Sequence, residues 1–78
     1  SKTYAHRVLI CDFLAGNQIR KEFNGFTSKD ILATANCLQD IKDGKSVLDA
    51  GESGSTLRFL LPLLSALGGD YTIKCLSN

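Results

Sequence analysis

Residues 56–67 constrain this chain most: the segment reads Thr-Leu-Arg-Phe-Leu-Leu-Pro-Leu-Leu-Ser-Ala-Leu, and Arg58 is its only charge. A helix over this segment is apolar almost all round, which marks it as buried in something larger. Its longest apolar run, residues 59–67, contains Pro62 and Ser65. That run is too short to cross a bilayer, which takes about 20 residues. Other elements must therefore cover it, and the chain has only 78 residues. A chain of this size buries only about 60% of its unfolded surface. The expectation is an exposed apolar patch, with self-association or marginal stability. Pro62 removes one helical hydrogen bond and is expected to bend the helix.

The remaining elements follow from periodicity and turn residues. Residues 4–15 read as a helix, with Val8, Leu9, Phe13 and Leu14 as its apolar face and Gly16-Asn17 as its stop. Residues 18–23 are a candidate strand carrying Ile19 and Phe23, and Asn24-Gly25 is a turn signal. A second helix starts at Thr27-Ser28-Lys29-Asp30, with Thr27 or Ser28 as cap. Ile31, Ala35, Leu38 and Ile41 repeat at helical spacing, and Asp43-Gly44 closes the helix. Residues 46–50 form a short strand around Val47 and Leu48. The loop Gly51-Glu52-Ser53-Gly54-Ser55 leads into the apolar helix, Gly68-Gly69 stops that helix, and residues 71–76 are a last strand. The order predicts an α+β fold: a two-layer unit of about three helices on a small mixed sheet. Ser1 opens straight into a helix and Asn78 follows straight on a strand, so residues 1–78 read as a single partial domain.

Charge and cysteine content exclude several classes of function. The formal net charge is +1, which provides no field for nucleic acid or an anionic membrane. The three cysteines, Cys11, Cys37 and Cys75, are widely spaced, and the single histidine is His6. They form no metal-ligand spacing and imply no metal or other cofactor. They read as buried free thiols in a reducing compartment, slow to label. No cleavage-like signal follows Lys2, so the expectation is a cytoplasmic chain without membrane association.

The starts of two helices carry an unusual charge. A helix start has partial positive charge and unpaired N–H groups, so acidic residues are favoured there. The first helix instead opens with Lys2, Thr3 and Arg7, and Thr3 and Arg7 share a face. The last helix is preceded by Gly51-Glu52-Ser53-Gly54-Ser55-Thr56 and carries Arg58 in its first turn. Cations there cost roughly 0.3–1 kcal/mol each, and a bound phosphate or carboxylate would reverse the sign. Gly51 and Gly54 would let the backbone approach a ligand and take positive φ, and Ser53, Ser55 and Thr56 offer hydroxyls or a cap. The plain alternative is a glycine-serine turn with a cap, and solvated cations at Lys2 and Arg7. Neither a P-loop nor a dinucleotide fingerprint fits the glycine spacing.

The same two segments carry a resemblance. Ser1-Lys2-Thr3-Tyr4-Ala5-His6-Arg7 resembles the Ser-Lys-Ser-x-x-x-Arg signature of the EPSP synthase family, the 3-phosphoshikimate 1-carboxyvinyltransferases. Gly51-Glu52-Ser53-Gly54-Ser55-Thr56-Leu57-Arg58 resembles that family's Gly-Asn-x-Gly-Thr-x-x-Arg signature. Thr27-Ser28-Lys29-Asp30-Ile31 sits where the family has Ser-Asp-Asp-Val/Ile. The resemblance implies a substrate-binding role for each matching position. Lys2 would meet both substrates, Thr3 the phosphate of shikimate 3-phosphate, and Arg7 the shikimate carboxylate. Gly54 and Ser55, with Arg58 beside them, would line the phosphoenolpyruvate site, where glyphosate competes. There are departures: Glu52 stands where Asn is commoner, Ser55 where Thr is usual, and Phe59 where many members have Pro. Residues 38–49 are also shorter than the family's segment.

The resemblance further implies a place in a larger enzyme. The family has two lobes of three βαβαββ units each, with the active site between the lobes. This chain resembles the first unit of one lobe. None of its residues matches the family's proton-handling residues, so the isolated chain is expected not to turn over. Its partners would be the two anionic substrates and the remainder of the enzyme. Two other readings stand beside this one. The chain could be a non-catalytic folding unit with weak anion binding. It could instead be a piece of the sister UDP-N-acetylglucosamine enolpyruvyl transferase, against which Thr3 and Arg7 argue.

Overall fold

The computed structural model describes residues 2–19 and 29–75. It contains helix α1 (Lys2–Leu14), helix α2 (Lys29–Lys42), strand β1 (Val47–Gly51), helix α3 (Gly54–Leu67) and strand β2 (Thr72–Cys75). The two strands pair in parallel, with Leu48 opposite Ile73 and Asp49 opposite Lys74. Parallel neighbours need a crossover, and α3 supplies it. The result is the expected α+β unit of three helices on a small sheet, and the sheet is wholly parallel among the described residues. Gln18 and Ile19 have no regular secondary structure. The rest of the expected strand over 18–23, the Asn24-Gly25 turn and the Thr27/Ser28 cap lie outside the described residues.

Two of the three predicted glycine stops, Gly16 and Gly44, take the same physical form. Gly16 has φ 77°, its N–H donates to the Phe13 carbonyl at 3.1 Å, and the Asn17 N–H donates to the Asp12 carbonyl at 2.9 Å. Gly44 has φ 83°, its N–H donates to the Ile41 carbonyl at 3.1 Å, and Lys45 N–H reaches the Asp40 carbonyl at 2.9 Å. Each is a Schellman stop, which satisfies carbonyls the helix end leaves open. Lys42, in the last turn of α2, also donates from Nζ to the Asn17 carbonyl at 2.9 Å, tying the two helix ends together.

Helix α2 is the hub. It packs on α1, on β1 and on α3. Ile31, Ala35, Cys37 and Leu38 from α2 join Ala5 and Leu9 from α1, Leu48 from β1 and Leu60, Leu63 and Leu64 from α3 in one apolar core. Ile19 joins that core from the loop. The buried face of α1 differs from the expected one. Ala5, His6, Leu9 and Asp12 turn inward, and Leu14 turns out. This helix is apolar on several sides, so the spacing of its apolar residues does not pick out the packed face.

Helix α3 is only half covered by this chain. Thr56, Leu60, Leu63 and Leu64 are buried. Leu61 and Leu67 on other faces remain 57% and 44% exposed. The segment read as apolar all round thus presents one face to the core and another to the outside.

Candidate functional site

The start of α3 is built by a tight turn. Asp49 Oδ1 accepts the Gly51 N–H at 2.8 Å, and Gly51 sits at φ 59°, a conformation that favours glycine. Ser53 N–H then donates to the Ala50 carbonyl at 3.1 Å. Ser53 is the N-cap, with φ −85° and ψ 100°, and its Oγ accepts the Thr56 N–H at 3.0 Å. The helix therefore begins at Gly54, two residues earlier than the periodicity suggests, and Gly54 and Ser55 are helical. Only Gly51 of the two loop glycines takes positive φ; Gly54 is an ordinary first helical residue, and its expected positive φ is corrected. The cap uses the Thr56 N–H, and the Gly54 and Ser55 N–H groups make no hydrogen bond among the described residues. They point out of the helix start, the geometry that favours an anion.

The expected place of Arg58 in the first turn is corrected: with α3 starting at Gly54 it is the fifth helical residue, one turn in, as Arg7 is the sixth residue of α1. Neither α1 nor α3 has an acidic residue in its first turn, whereas α2 has Asp30 there and Lys42 in its last turn. Arg7 and Arg58 are exposed, Gly54 is exposed, and Ser55 is half-buried. Lys2 and Thr3 lie in the first turn of α1, but their side chains lie outside the described residues. A cleft of about 500 Å3 beside the turn is lined by Lys29, Asp30, Ala33, Ala50, Gly51, Glu52 and Ser53. Two carboxylates and one ammonium line it, so its charge does not suit an anion. Glu52 lines this cleft together with Lys29.

A buried polar chain joins the two motifs. His6 on α1 is 1% exposed, and its Nδ1 lies 2.8 Å from Thr34 Oγ1 on α2. Thr34 Oγ1 lies 2.8 Å from Thr56 Oγ1 on α3. Thr56 Oγ1 donates toward the Asp30 carbonyl at 3.1 Å and lies 2.7 Å from the cap oxygen Ser53 Oγ. The His6 ring stacks on Phe59, with centroids 4.7 Å apart. His6 precedes Arg7, Thr56 follows Ser55 and Phe59 follows Arg58, so neighbours of all three named residues are in contact. The Ser53 and Thr56 hydroxyls were offered by the sequence as cap or donors, but His6, Thr34 and Phe59 were not given these roles. The one available signal was polar residues at buried helical phases, Thr34 between Ile31 and Leu38 above all.

The cysteines divide. Cys37 is buried and donates to the Asp49 carbonyl at 3.3 Å, but Cys11 and Cys75 are exposed, which corrects the expectation that all three are buried. Burial, helped by the Asp40 and Asp49 carboxylates, pushes the Cys37 thiol from 9.0 up to about 11. A raised acid holds its proton longer in the folded state. It contributes stability fully below pH 9.0, and that contribution is lost as pH rises through about 11. At pH 8, a thiol reagent is expected to label Cys11 and Cys75 promptly and Cys37 only on unfolding, read by mass spectrometry. Among the described residues there is no group of side chains able to hold a metal ion and no helix long and apolar enough to cross a membrane.

No family model matches the chain, and no solved structure does. Sequence relatives do. The relatives the chain matches are named as carboxyvinyl transferases. More particularly, the chain matches a segment of 3-phosphoshikimate 1-carboxyvinyltransferase, known as EPSP synthase. It is 30% identical to that enzyme of Methanococcus maripaludis strain C5 over 91 positions, covering 94% of this chain and 21% of the relative. It is 35% identical to that of Brachyspira hyodysenteriae over 86 positions, covering 87% of this chain and 20% of the relative. The chain thus spans about one fifth of the length of the relatives it matches. The 91 aligned positions outnumber the 78 residues of the chain, so the relative carries residues inside this stretch that the chain lacks.

Proposed function

We propose that this chain supplies half of the substrate anion site of a transferase that moves the carboxyvinyl group of phosphoenolpyruvate to the 5-hydroxyl of shikimate 3-phosphate. In that reaction the hydroxyl adds to the phosphoenolpyruvate double bond and phosphate is then eliminated. The chain is one folding unit of a larger two-lobe enzyme. Its own residues bind and orient, and proton transfer belongs to groups elsewhere in that enzyme. Lys2, Thr3 and Arg7 at the start of α1 receive shikimate 3-phosphate. The Gly54 and Ser55 N–H groups, the Ser55 hydroxyl, Arg58 and Lys2 receive phosphoenolpyruvate.

The observation that carries the reading is the pair of free N–H groups at Gly54 and Ser55, at a helix start with no acidic residue and an arginine nearby. Such donors and a guanidinium suit a phosphate or carboxylate. Positioning two anions in this way contributes through orientation and charge, not bond chemistry.

Calorimetric titration of the chain tests the reading. Shikimate 3-phosphate is expected to bind more tightly than inorganic phosphate, and Arg7→Ala to weaken it about tenfold. Arg58→Ala is expected to weaken phosphoenolpyruvate by a similar factor. Equal binding of shikimate 3-phosphate and phosphate, or affinities indifferent to both arginines, would leave only a folding unit with weak anion binding.

A further inference from the structure

We propose that the hydrogen-bonded chain His6–Thr34–Thr56 is a positioning device that fixes the start of α1 against the start of α3. It thereby sets the spacing between Arg7 and the Gly54–Ser55 N–H groups. This inference rests on the anion-site reading above and adds the residues that hold its two limbs in register.

The packing leaves this task to side chains. Helix α1 packs chiefly on α2, and α2 on α3. The two limbs of the site thus sit on helices joined mainly through a third, and they touch directly where His6 stacks on Phe59. Three side-chain contacts link them: His6 reaches Thr34, Thr34 reaches Thr56, and His6 stacks on Phe59.

The residue types are informative because they are poor choices for bulk stability. Apolar side chains of similar volume would fill these positions at no desolvation cost. A polar chain instead demands specific partners at specific distances, and when satisfied it selects one arrangement of the core. Each hydroxyl has one proton. If the Thr56 proton goes to the Asp30 carbonyl, which can only accept, Thr34 donates to Thr56, a His6 Nδ1–H donates to Thr34, and the Ser53 hydroxyl donates to Thr56. The chain ends on the residue whose N–H and hydroxyl both engage the Ser53 cap. It therefore runs from the residue before Arg7 to the first turn that presents the free N–H groups.

The geometry of a helix transmits this constraint. His6 is buried and Arg7 exposed on successive positions of α1, so the rotation of the helix about its axis sets both. Holding the His6 ring between Thr34 and Phe59 holds that rotation. A site that must meet two anionic groups of one reaction is sensitive to such rotation, since a misplacement of about 1 Å can cost a hundredfold in rate.

The test is Thr34→Val, which keeps the shape and removes the middle hydroxyl, compared with Thr34→Ser, which keeps the hydroxyl. Residual dipolar couplings report the orientation of α1 relative to α3, and titration with inorganic phosphate reports the site. In T34V the α1 couplings are expected to shift relative to α3, with α2, β1 and β2 unchanged, and phosphate affinity to fall about tenfold. T34S is expected to restore both. In the unmutated chain the Thr34 and Thr56 hydroxyl protons are expected to exchange slowly with water. This last measurement decides the matter if T34V does not fold. Unchanged couplings in T34V, a shifted α1 with unchanged phosphate affinity, or fast-exchanging hydroxyl protons would overturn the proposal. If the unmutated chain binds no phosphate, the anion-site reading fails, and the couplings and hydroxyl protons still decide whether the chain positions α1.

Discussion

Gly54→Pro is expected to leave the fold intact and to remove most of the anion affinity. Proline suits the first position of a helix, where its missing N–H breaks no helical bond and its fixed φ is already helical. Gly54 is that first position. A Cβ there meets nothing within 4 Å, and the preceding Ser53 is already extended at φ −85° and ψ 100°, as a residue before proline must be. The unfolded chain also loses freedom on gaining proline, which favours the folded state by about 0.4–1 kcal/mol. The one functional group removed is the Gly54 N–H. A hydrogen bond to a charged group is worth about 1.5–3 kcal/mol, or roughly ten- to a hundredfold in affinity. Thermal unfolding by circular dichroism should show an equal or higher midpoint, and titration with phosphoenolpyruvate should show the loss. Retained affinity in a folded G54P would remove the Gly54 N–H from the site.

Leu38→Ala carries the largest expected effect on stability. Leu38 is fully buried on α2, the helix on which α1, β1 and α3 all pack. Deleting a buried leucine side chain to the β-carbon costs about 2–5 kcal/mol, because the surrounding elements close the void only in part. A chain of this length has roughly 4–12 kcal/mol in all, and a thin core puts it toward the lower end. L38A is thus expected to unfold at much lower urea concentration, or to lack a cooperative transition at room temperature. Leu61→Ala, on the exposed face of α3, is the control, with an expected change under about 0.5 kcal/mol. Equal urea midpoints for the two variants would contradict the packing described for α2.

Local chemistry made much of the fold legible. Ile31, Ala35, Leu38 and Ile41 marked α2 because its buried face repeats at helical spacing, and Gly16 and Gly44 marked stops because both needed positive φ. The start of α3 was misplaced because glycine and serine read as loop. Ser53 is the cap, and Gly54 tolerates the first helical position where no side chain is needed. Phasing failed on α1, where Val8, Leu9, Phe13 and Leu14 offer more than one apolar face. The burial of His6 and Asp12 was decided by the helices around them. The exposure of Cys11 and Cys75 followed for the same reason: an apolar neighbourhood in sequence does not fix which way a side chain turns.

The candidate site divides along the same line. Arg7, Gly54, Ser55 and Arg58 are proposed from the sequence because their motifs are local, and a helix start without acidic residues is a local electrostatic anomaly. The chain from His6 through Thr34 to Thr56 was not legible. Its members are 28 and 22 positions apart and meet only when three helices pack. No spacing rule predicts that meeting.

The measurement that tests the account most directly is an amide NMR titration of this chain with shikimate 3-phosphate, with inorganic phosphate as the reference. The account predicts shifts concentrated at residues 2–7 and 51–58, larger with shikimate 3-phosphate than with phosphate at equal concentration. Shifts scattered over the surface, or none in a folded sample, would contradict a preformed half-site at the two helix starts.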